Sequence, residues 1–405
     1  MNRGNSGAGT AGANLPLLRS HNAALVLDLL RTAGPDGISR LELAERTGLT
    51  PQAVSKITAR LRADGLAAEA GRRASTGGKP RTVLRLVPAA GYAVGLHLDR
   101  DELTAVLADL SGTPVAARTA PLAFGAGAEQ VVEAAAREVE ALLCQVAGDS
   151  PPGVVPEAEP AADEPAAPDG ARGVLGVGVA VPGPLDHAAG VLHRVTGFPH
   201  WDGYPLRDAL ARRLGLPVVL DKDTNAAALG LALGGVADDP AGESFAYLHL
   251  GTGLGAGLVL AGALHRGART GAGEFGHQVI QLDGPLCSCG SRGCIEALCL
   301  DAVGRGDIAE AARVLGAGAA NLVGLLDIDR VLLGGRTVDA DAERFVRGVA
   351  DVLAERARRE GGPGAVPVAV AVAPGGARGV ADGAAQLVLA SVFGRAAEVA
   401  FPARR

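Results

Sequence analysis

The chain has 405 residues, enough for two or three domains, and its 48% apolar content allows a large core. Aromatic residues make up only 3%, so that core is built mainly from Ala, Val and Leu. The sequence contains no run of some twenty apolar residues, so no membrane span is predicted. The first sixteen residues are polar and Gly-rich and lack the apolar stretch of a signal peptide. We therefore expect a cytoplasmic protein.

Charge is unevenly divided along the chain. The net charge is −6, yet residues 1–86 carry thirteen Lys and Arg against six Asp and Glu. The head therefore has a balance of +7, and the remainder carries −13. A basic head on an acidic body predicts a DNA-binding module joined to a second domain of different function.

The head has the helix pattern of a winged helix-turn-helix. Residues 21–33 repeat apolar side chains at helical spacing, which predicts a first helix. Ser39 and Glu42 have the spacing of a capping box that opens a second helix, and Gly48 permits the turn after it. Thr50 as N-cap and Pro51 as first residue predict the start of a third helix.

The third helix has a polar face of the residue types that read DNA. Val54, Ile57 and Leu61 are expected to be buried, which leaves an outer face formed by Gln52, Ser55, Lys56 and Arg60. A wing over residues 71–86 adds Lys79 and Arg81 for the minor groove. The alternative is a solvated polar face without DNA contacts. We place the DNA-binding domain at residues 18–87, after a disordered N-terminus at residues 1–17.

The body, residues 90–394, alternates strand and helix patterns, which predicts an α/β fold. Apolar runs typical of strands occur at residues 92–98, 103–110, 173–181, 218–220 and 245–250. Residues 147–172 are rich in Pro, Ala and acidic residues and have no apolar period. We therefore predict a disordered insertion there, most simply a tolerated surface loop.

Three of the five cysteines lie close to one histidine. The residues are His277, Cys287, Cys289 and Cys294. One imidazole and three thiolates make a closed tetrahedral zinc site, and thiols at such spacing favour a reducing compartment. The alternative is a reduced cysteine cluster that binds nothing. We predict a structural Zn²⁺.

This cysteine spacing, the segment at residues 271–277 and Glu296 together resemble the ROK family of repressors, open reading frames and sugar kinases. The resemblance covers the chain from about residue 18 to residue 394, including the wing with Lys79 and Arg81. It implies a winged helix-turn-helix followed by a two-lobed, actin-like ATPase (ribonuclease H-like) body. It also implies a structural zinc beside a sugar pocket, and assembly as a homodimer or homotetramer.

The resemblance assigns roles to further residues. Asp223 falls at the position of the family's catalytic base. The sugar-contacting positions correspond to Lys222, Asp223, Glu274, His277 and Glu296. A remnant of the nucleotide-binding loops corresponds to Gly251, Thr252, Gly253, Gly255, Gly334 and Gly335.

Several positions depart from the family's kinases. The first phosphate loop, which is glycine-rich in kinases, reads Asp99, Arg100 and Asp101 here, so side chains fill the space that phosphates need. Lys222 replaces a sugar-binding asparagine, and Gly197 falls where another is common. Lys222 could pair with Asp223 and close the pocket, or bind an acidic or phosphorylated sugar. The segment after Glu296 is also shorter than usual in the family, which leaves the mode of assembly open.

These patterns favour a ROK-type transcriptional regulator, a repressor of carbohydrate-related genes that binds an operator in double-stranded DNA. Its effector is expected to be a sugar or sugar derivative, its kinase activity to be lost, and Asp223 to be a vestigial base. One alternative is an active ATP-dependent sugar kinase with a fused DNA-binding head. Another is a ligand-independent DNA-binding protein with a vestigial sugar cleft.

Overall fold

The computed structural model describes residues 21–73, 81–149, 173–234, 244–361 and 368–395. The predictions for the N-terminus at 1–17, for Lys79 in the wing and for most of the insertion at 147–172 lie outside these residues. The described part of that insertion, residues 147–149, completes a helix.

The head is a small three-helix domain with a three-stranded antiparallel sheet. Its helices are α1 (His21–Thr32), α2 (Arg40–Thr47) and α3 (Pro51–Ala63). Its strands are β1 (Ile38–Ser39), β2 (Ala67–Arg73) and β3 (Arg81–Leu86), in the order β1-β3-β2. This arrangement is a winged helix-turn-helix, with β2 and β3 as the two strands of the wing.

The predicted helix boundaries of the head are confirmed. The Ser39 hydroxyl accepts from the Glu42 N–H, and the Glu42 carboxylate accepts from the Ser39 N–H, which completes the capping box. Thr50 caps α3 by accepting from the Ala53 N–H. The expected core face is correct at Val54 and Leu61, whereas Ile57 is half-buried.

The first lobe of the body contains a five-stranded mixed sheet in the order β10-β7-β4-β5-β6. The strands are β4 (Tyr92–Leu98), β5 (Glu102–Asp109), β6 (Pro114–Pro121), β7 (Val174–Val181) and β10 (Val218–Lys222). A short hairpin, β8 (Leu185–Asp186) and β9 (Val191–Leu192), follows β7. Helices α4 (Ala128–Asp149) and α5 (Leu206–Leu214) cover the outer face, where Phe124 and Trp201 are fully buried.

The second lobe contains another five-stranded sheet, in the order β13-β12-β11-β14-β15. Its strands are β11 (Phe245–Leu250), β12 (Leu254–Leu260), β13 (Ala263–Leu264), β14 (Arg330–Gly334) and β15 (Ala369–Val372). Its helices, apart from the pair described next, are α7 (Ile295–Gly304), α8 (Ile308–Leu326), α9 (Arg336–Ala340) and α10 (Ala342–Glu360).

Two helices lie between the sheets, α6 (Asp223–Leu233) and α11 (Gly379–Val392). The second packs so closely on the first sheet that a Cβ on Gly178 would lie 1.8 Å from the Ala384 carbonyl oxygen. A Cβ on Gly230 of α6 would lie 2.8 Å from Gly383 of α11. Because there is no room for larger side chains, the two helices and the first sheet are closely packed against one another.

Among the described helices, α8 is the one that is long and apolar enough to cross a membrane by length and composition. Half of its most apolar window is buried, and Ala312, Leu315 and Ala319 pack in the core of the second lobe. Its apolar composition is therefore explained by its position in the core of the second lobe.

Candidate functional site

A narrow cleft opens between the two lobes where β7, β10 and β11 end, and it contains a cavity of about 80 Å³. Its lining comes from both lobes and includes most of the residues that the sequence assigns to the sugar and phosphate sites. These are Lys222, Asp223, Thr252, Gly253, Gly255, Glu274, His277 and Glu296. The fold therefore brings together residues that are up to 74 positions apart in the sequence, from Lys222 to Glu296.

Asp223 is the first residue of α6 and lies on the floor of the cleft. Its carboxylate accepts from the Thr224 N–H at 2.6 Å. Burial between the lobes raises the pKa of Asp223 to about 7, while the Thr224 N–H opposes this shift. The negative charges of Asp99 and Glu274 raise the pKa further, and Lys222 lowers it. A carboxylate with a pKa near 7 can exchange a proton with a ligand hydroxyl or hold a hydrogen bond to it.

Of the two roles considered for Lys222, the ion pair with Asp223 is not formed, and Lys222 pairs with Glu274 instead. Its ammonium donates to the Ala272 carbonyl oxygen and to Glu274 Oε1, the latter at 3.1 Å, and its side chain is 3% exposed. The positive charge of Lys222 is thus used within the cleft wall. It fixes the position of Glu274 and neutralises one of the cleft's carboxylates.

A buried ion pair lies beneath the floor of the cleft. The sequence analysis did not predict it. Arg266 donates to Asp221 at 2.6 Å, and Asp221 also accepts from the Asn225 amide and the Lys222 N–H, both at 2.8 Å. Both charged side chains are nearly inaccessible to solvent. Removing either partner would leave a buried charge unpaired, so this pair positions the junction at which β10 becomes α6.

The turn between β4 and β5, at the position that the sequence predicts for the first phosphate loop, is tied to the opposite lobe. The Thr252 hydroxyl donates to Asp99 at 3.0 Å. Arg336, directly after Gly335, donates to both oxygens of Asp101 at 2.7 and 2.9 Å. Side chains therefore bridge the two lobes at the point where kinases of this fold are expected to hold phosphates. Sequence reasoning identified the two aspartates but missed Arg336 as their partner.

Two histidines lie beside this bridge. His97 and His249 face each other edge to face, with ring centroids 6.5 Å apart. Burial lowers the pKa of His97 to about 4, so its imidazole is neutral near pH 7. The ring supplies no positive charge to compensate a phosphate.

The second glycine-rich loop retains the close packing that only glycine permits. A Cβ on Gly257 would lie 2.1 Å from the Thr224 carbonyl oxygen. Gly335 has a φ of +93°, and a Cβ on it would lie 2.5 Å from the Leu250 carbonyl oxygen. Gly334 lies against the ring of Tyr247, whose hydroxyl is 2.9 Å from His249 Nδ1. Larger side chains would clash with neighbouring groups at these positions.

The predicted metal ligands come together in space. One ligand atom from each of His277, Cys287, Cys289 and Cys294 lies within 4.8 Å of the other three. Sγ of Cys289 and Sγ of Cys294 are 3.7 Å apart, and Cys287 Sγ is 3.7 Å from His277 Nδ1. Zinc–sulfur bonds of about 2.3 Å in a tetrahedron separate two sulfurs by about 3.8 Å. The cluster therefore has the composition and the spacing to hold a metal ion.

Glu296 joins the metal cluster to the cleft. One carboxylate oxygen accepts from the Leu254 N–H at 2.8 Å, which fixes the glycine-rich loop. The other oxygen lies 3.4 Å from the Ser288 hydroxyl and 3.9 Å from Cys287 Sγ. His277 belongs to the cluster and also lines the cleft. The segment that carries the cluster, residues 277–294, which we call the metal loop, therefore also forms part of the cleft wall.

In the head, α3 exposes the polar face that the sequence predicts. Gln52, Ser55, Lys56 and Arg60 are all exposed, and Arg81 is exposed at the start of the second wing strand. Thr58 is buried, and its hydroxyl donates to the Val54 carbonyl oxygen and accepts from Arg40. That contact fixes α3 against α2 and leaves the outer face free for a partner.

The head packs against the body through a shared apolar cluster and through charged residues of α1. Arg31 donates to the Leu233 carbonyl oxygen at 3.4 Å, at the end of α6. Its guanidinium also pairs with Asp28 at 2.8 Å and lies over the ring of Phe393, just after α11. Asp28 in turn accepts from Arg395 at 3.1 Å. Helix α6 therefore begins in the cleft and ends on the head.

Comparisons with known families agree with this architecture. The profile described as ROK family matches residues 165–304, and the profile described as winged helix-turn-helix DNA-binding matches residues 35–67. The chain thus resembles a ROK domain that follows an N-terminal winged helix-turn-helix.

Three similar proteins illustrate this resemblance. It is 29% identical to a putative xylose repressor of Caldicellulosiruptor sp. over 70% of the chain, and it spans only 64% of that relative's length. Over 30% of the chain it is 42% identical to the glucokinase of Thermotoga maritima, covering 38% of the kinase. A solved ROK family transcriptional regulator, a homologue of the E. coli MLC protein, superposes with a TM-score of 0.69. That structure is 20% identical and covers 93% of this chain and 98% of its own, which establishes the fold alone.

Proposed function

We propose that this protein belongs to the ROK family and is a DNA-binding transcriptional regulator, a repressor of carbohydrate-related genes that responds to a sugar or sugar derivative. The observation that carries the proposal is a winged helix-turn-helix with an exposed polar α3, joined to a cleft whose first phosphate loop is occupied by Asp99, Asp101 and Arg336. Its similarity to a putative xylose repressor supports the same function. The protein is expected to act in the cytoplasm.

DNA would be read by α3 and the wing. Gln52 and Ser55 have side chains that can reach base edges, while Lys56, Arg60 and Arg81 suit phosphates and the minor groove. A homodimer or homotetramer would match a two-fold symmetric operator. Lys79 belongs to the same proposal on sequence grounds.

The sugar would be held by Asp223, Glu274, His277 and Glu296, with Lys222 positioning Glu274. Zn²⁺ would bind at His277, Cys287, Cys289 and Cys294 and brace this wall. The ion would have a structural role, because a His and three thiolates fill a tetrahedral shell. Gly251, Thr252, Gly253, Gly255, Gly334 and Gly335 would be the remnant of a nucleotide site.

The contacts between head and body suggest how ligand binding in the cleft would affect DNA binding by the head. Helix α6 has eleven residues, a length of about 16 Å, and runs from Asp223 to the carbonyl that Arg31 contacts. It packs against α11 without space between Gly230 and Gly383. A ligand that moves Asp223 would therefore move Leu233 and shift α1 of the head. Such coupling is reciprocal, so operator DNA would also change the affinity for the ligand.

The first test is fluorescence anisotropy of the full chain on its own upstream DNA. A scrambled duplex of equal length is the control, and the salt concentration is held at a physiological value because phosphate contacts make affinity salt-dependent. We expect a clear preference for the native duplex. Equal affinity for both duplexes would argue against a regulator of its own neighbouring genes.

A second measurement tests the coupling through Arg31. We expect Arg31→Gln to retain operator binding but to lose most of the change in operator affinity that a bound sugar causes. Arg347→Gln is the control, because Arg347 pairs only with Glu343 within α10 among the described residues. An unchanged sugar response in Arg31→Gln would refute this route.

A sugar kinase with a DNA-binding head is the second candidate. Asp223, with a pKa near 7 beside an intact glycine-rich loop, favours it, as does the similarity to a glucokinase. The bridge between Asp101 and Arg336 weighs against it, because a polyphosphate would have to displace this ion pair. ATP turnover with a hexose that is abolished by Asp223→Asn would establish the kinase.

A third candidate is a DNA-binding protein without a ligand. The use of the Lys222 charge within the cleft wall favours it. A panel of sugars that changes neither thermal stability nor DNA affinity would support this candidate over the first.

A further inference from the structure

The hairpin between β4 and β5 brings charges of both signs to the cleft. The carboxylates of Asp99 and Asp101 are bound by Thr252 and Arg336 of the opposite lobe. Asp99 and Arg100 both line the cleft. Arg336 lies 3.7 Å from Asp99 and offsets part of its charge, and Arg100 is the positive charge that this hairpin adds to the cleft.

The guanidinium of Arg100 is held in place without a hydrogen-bond acceptor. Among the described residues it makes no hydrogen bond and no ion pair, although it is half-buried. Its Cζ lies 5.8 Å from the centroid of the Phe198 ring. Its Nη2 lies 3.5 Å from the point that a Cβ on Gly253 would occupy. The ring can orient the guanidinium, but it leaves the five N–H donors available to a ligand.

The remaining charges of the cleft define what such a ligand can be. Lys222 is paired with Glu274 and is not available. Asp223 and Glu296 present oxygens that suit ligand hydroxyls, and Glu296 Oε2 lies 3.1 Å from the same point near Gly253. A doubly charged phosphate beside these carboxylates would be strongly repelled. A single planar carboxylate is repelled less and matches the guanidinium fork with two parallel hydrogen bonds.

We propose that the cleft binds a sugar acid, a monosaccharide with one carboxylate. The carboxylate binds Arg100, and the hydroxyls bind Asp223 and Glu296. This proposal rests on the proposed function of the cleft as the effector site and names the chemical class of the effector. It also assigns a function to the hairpin, whose sequence departs from that of a phosphate-binding loop.

The test is isothermal titration calorimetry of the full chain at fixed ionic strength. The ligands are glucuronate, galacturonate, glucose and glucose 6-phosphate. We expect at least one of the two uronates to bind about tenfold or more tighter than glucose, since hydrogen bonds to a charged group are the strong ones. Arg100→Gln should weaken uronate binding by about ten- to hundredfold and leave glucose binding unchanged.

Two further variants complete the test. Arg100→Lys should restore only part of the affinity, because a lysine cannot form the two parallel bonds. Arg269→Gln is the control, since Arg269 is exposed and lies outside the cleft lining. Thermal melting shows whether each variant is folded.

Several outcomes would overturn the proposal. These are glucose binding as tightly as both uronates, an Arg100→Gln variant with unchanged uronate affinity, or glucose 6-phosphate binding more tightly than both uronates. Failure of all four ligands to bind overturns it as well. If the chain still prefers its own upstream DNA in that case, the regulator function stands without the sugar acid. Arg100-dependent uronate binding without any DNA preference would uphold the ligand and refute the regulator.

Discussion

The two walls of the cleft differ in the groups that they present. The metal-loop wall presents Glu274, His277 and Glu296 beside the cluster that could hold a metal ion. The hairpin wall carries Asp99, Arg100 and Asp101, and its two aspartates are bound to the opposite lobe. The first wall offers groups that can bind ligand hydroxyls, whereas the second is held by contacts between side chains. Because these groups lie on different walls, the role of each wall can be tested separately.

The largest effect is expected on the metal-loop wall. Cys289 is exposed, so its truncation to Ala leaves no cavity, and any large loss of stability must come from the metal. We expect Cys289→Ala to lose bound zinc and about 3 kcal/mol or more of the free energy of unfolding, since metal-binding energy is folding energy.

Thermal melting and zinc analysis of the purified chain check this prediction. Cys144→Ala is the matched control, because Cys144 is also exposed but lies in α4, away from the cluster. If Cys289→Ala retains its zinc and its melting temperature, the metal assignment is wrong.

The contribution of Asp223, on the floor of the cleft, to the stability of the protein should depend on pH. The folded pKa of Asp223 is raised to about 7 from 3.8, so folding disfavours the ionised carboxylate. The contribution to stability is fully present below pH 4 and is lost as the pH rises to about 7. The loss is at most about 4 kcal/mol, and water reaching the cleft reduces it.

Urea unfolding of the wild type and Asp223→Asn between pH 4 and 8 measures this contribution. The difference between the two proteins should change with pH in that window, with Asp223→Asn relatively more stable at pH 7 than at pH 4. His97 acts in the opposite direction, because its lowered pKa costs stability as the pH falls below 6.5, but it is common to both proteins. A difference that is constant with pH would show that Asp223 has an ordinary pKa.

The two walls also differ in how much of their structure can be predicted from the sequence. Local signals such as the Ser39 capping box and the cysteine spacing predict their structures, because the interacting groups are close in the chain. The contacts of Arg336 with Asp101 span 235 positions, and those of Lys222 with Glu274 span 52. No local pattern encodes such pairs. A charged residue directly after Gly334-Gly335 was the one available signal for Arg336.

The smallest effect is expected at the hairpin wall. Arg336 is 46% exposed and Asp101 is 59% exposed, and exposed ion pairs contribute little. We expect a double-mutant cycle of Arg336→Gln and Asp101→Asn to give a coupling energy of about 0.5–1 kcal/mol that falls as salt is added. The matched cycle is Arg347→Gln with Glu343→Gln, an exposed pair within α10 that joins no lobes.

Amide hydrogen exchange in the hairpin separates a bridge between lobes from an incidental surface contact. Loss of the Arg336 side chain should speed exchange at the Asp99 N–H, which donates to the Glu102 carbonyl oxygen in the turn. The Arg347 variant should leave that exchange rate unchanged. If both variants behave alike, the hairpin is held by Thr252 and its own turn. Arg100 would then owe its position to Phe198 rather than to the ion pair beside it.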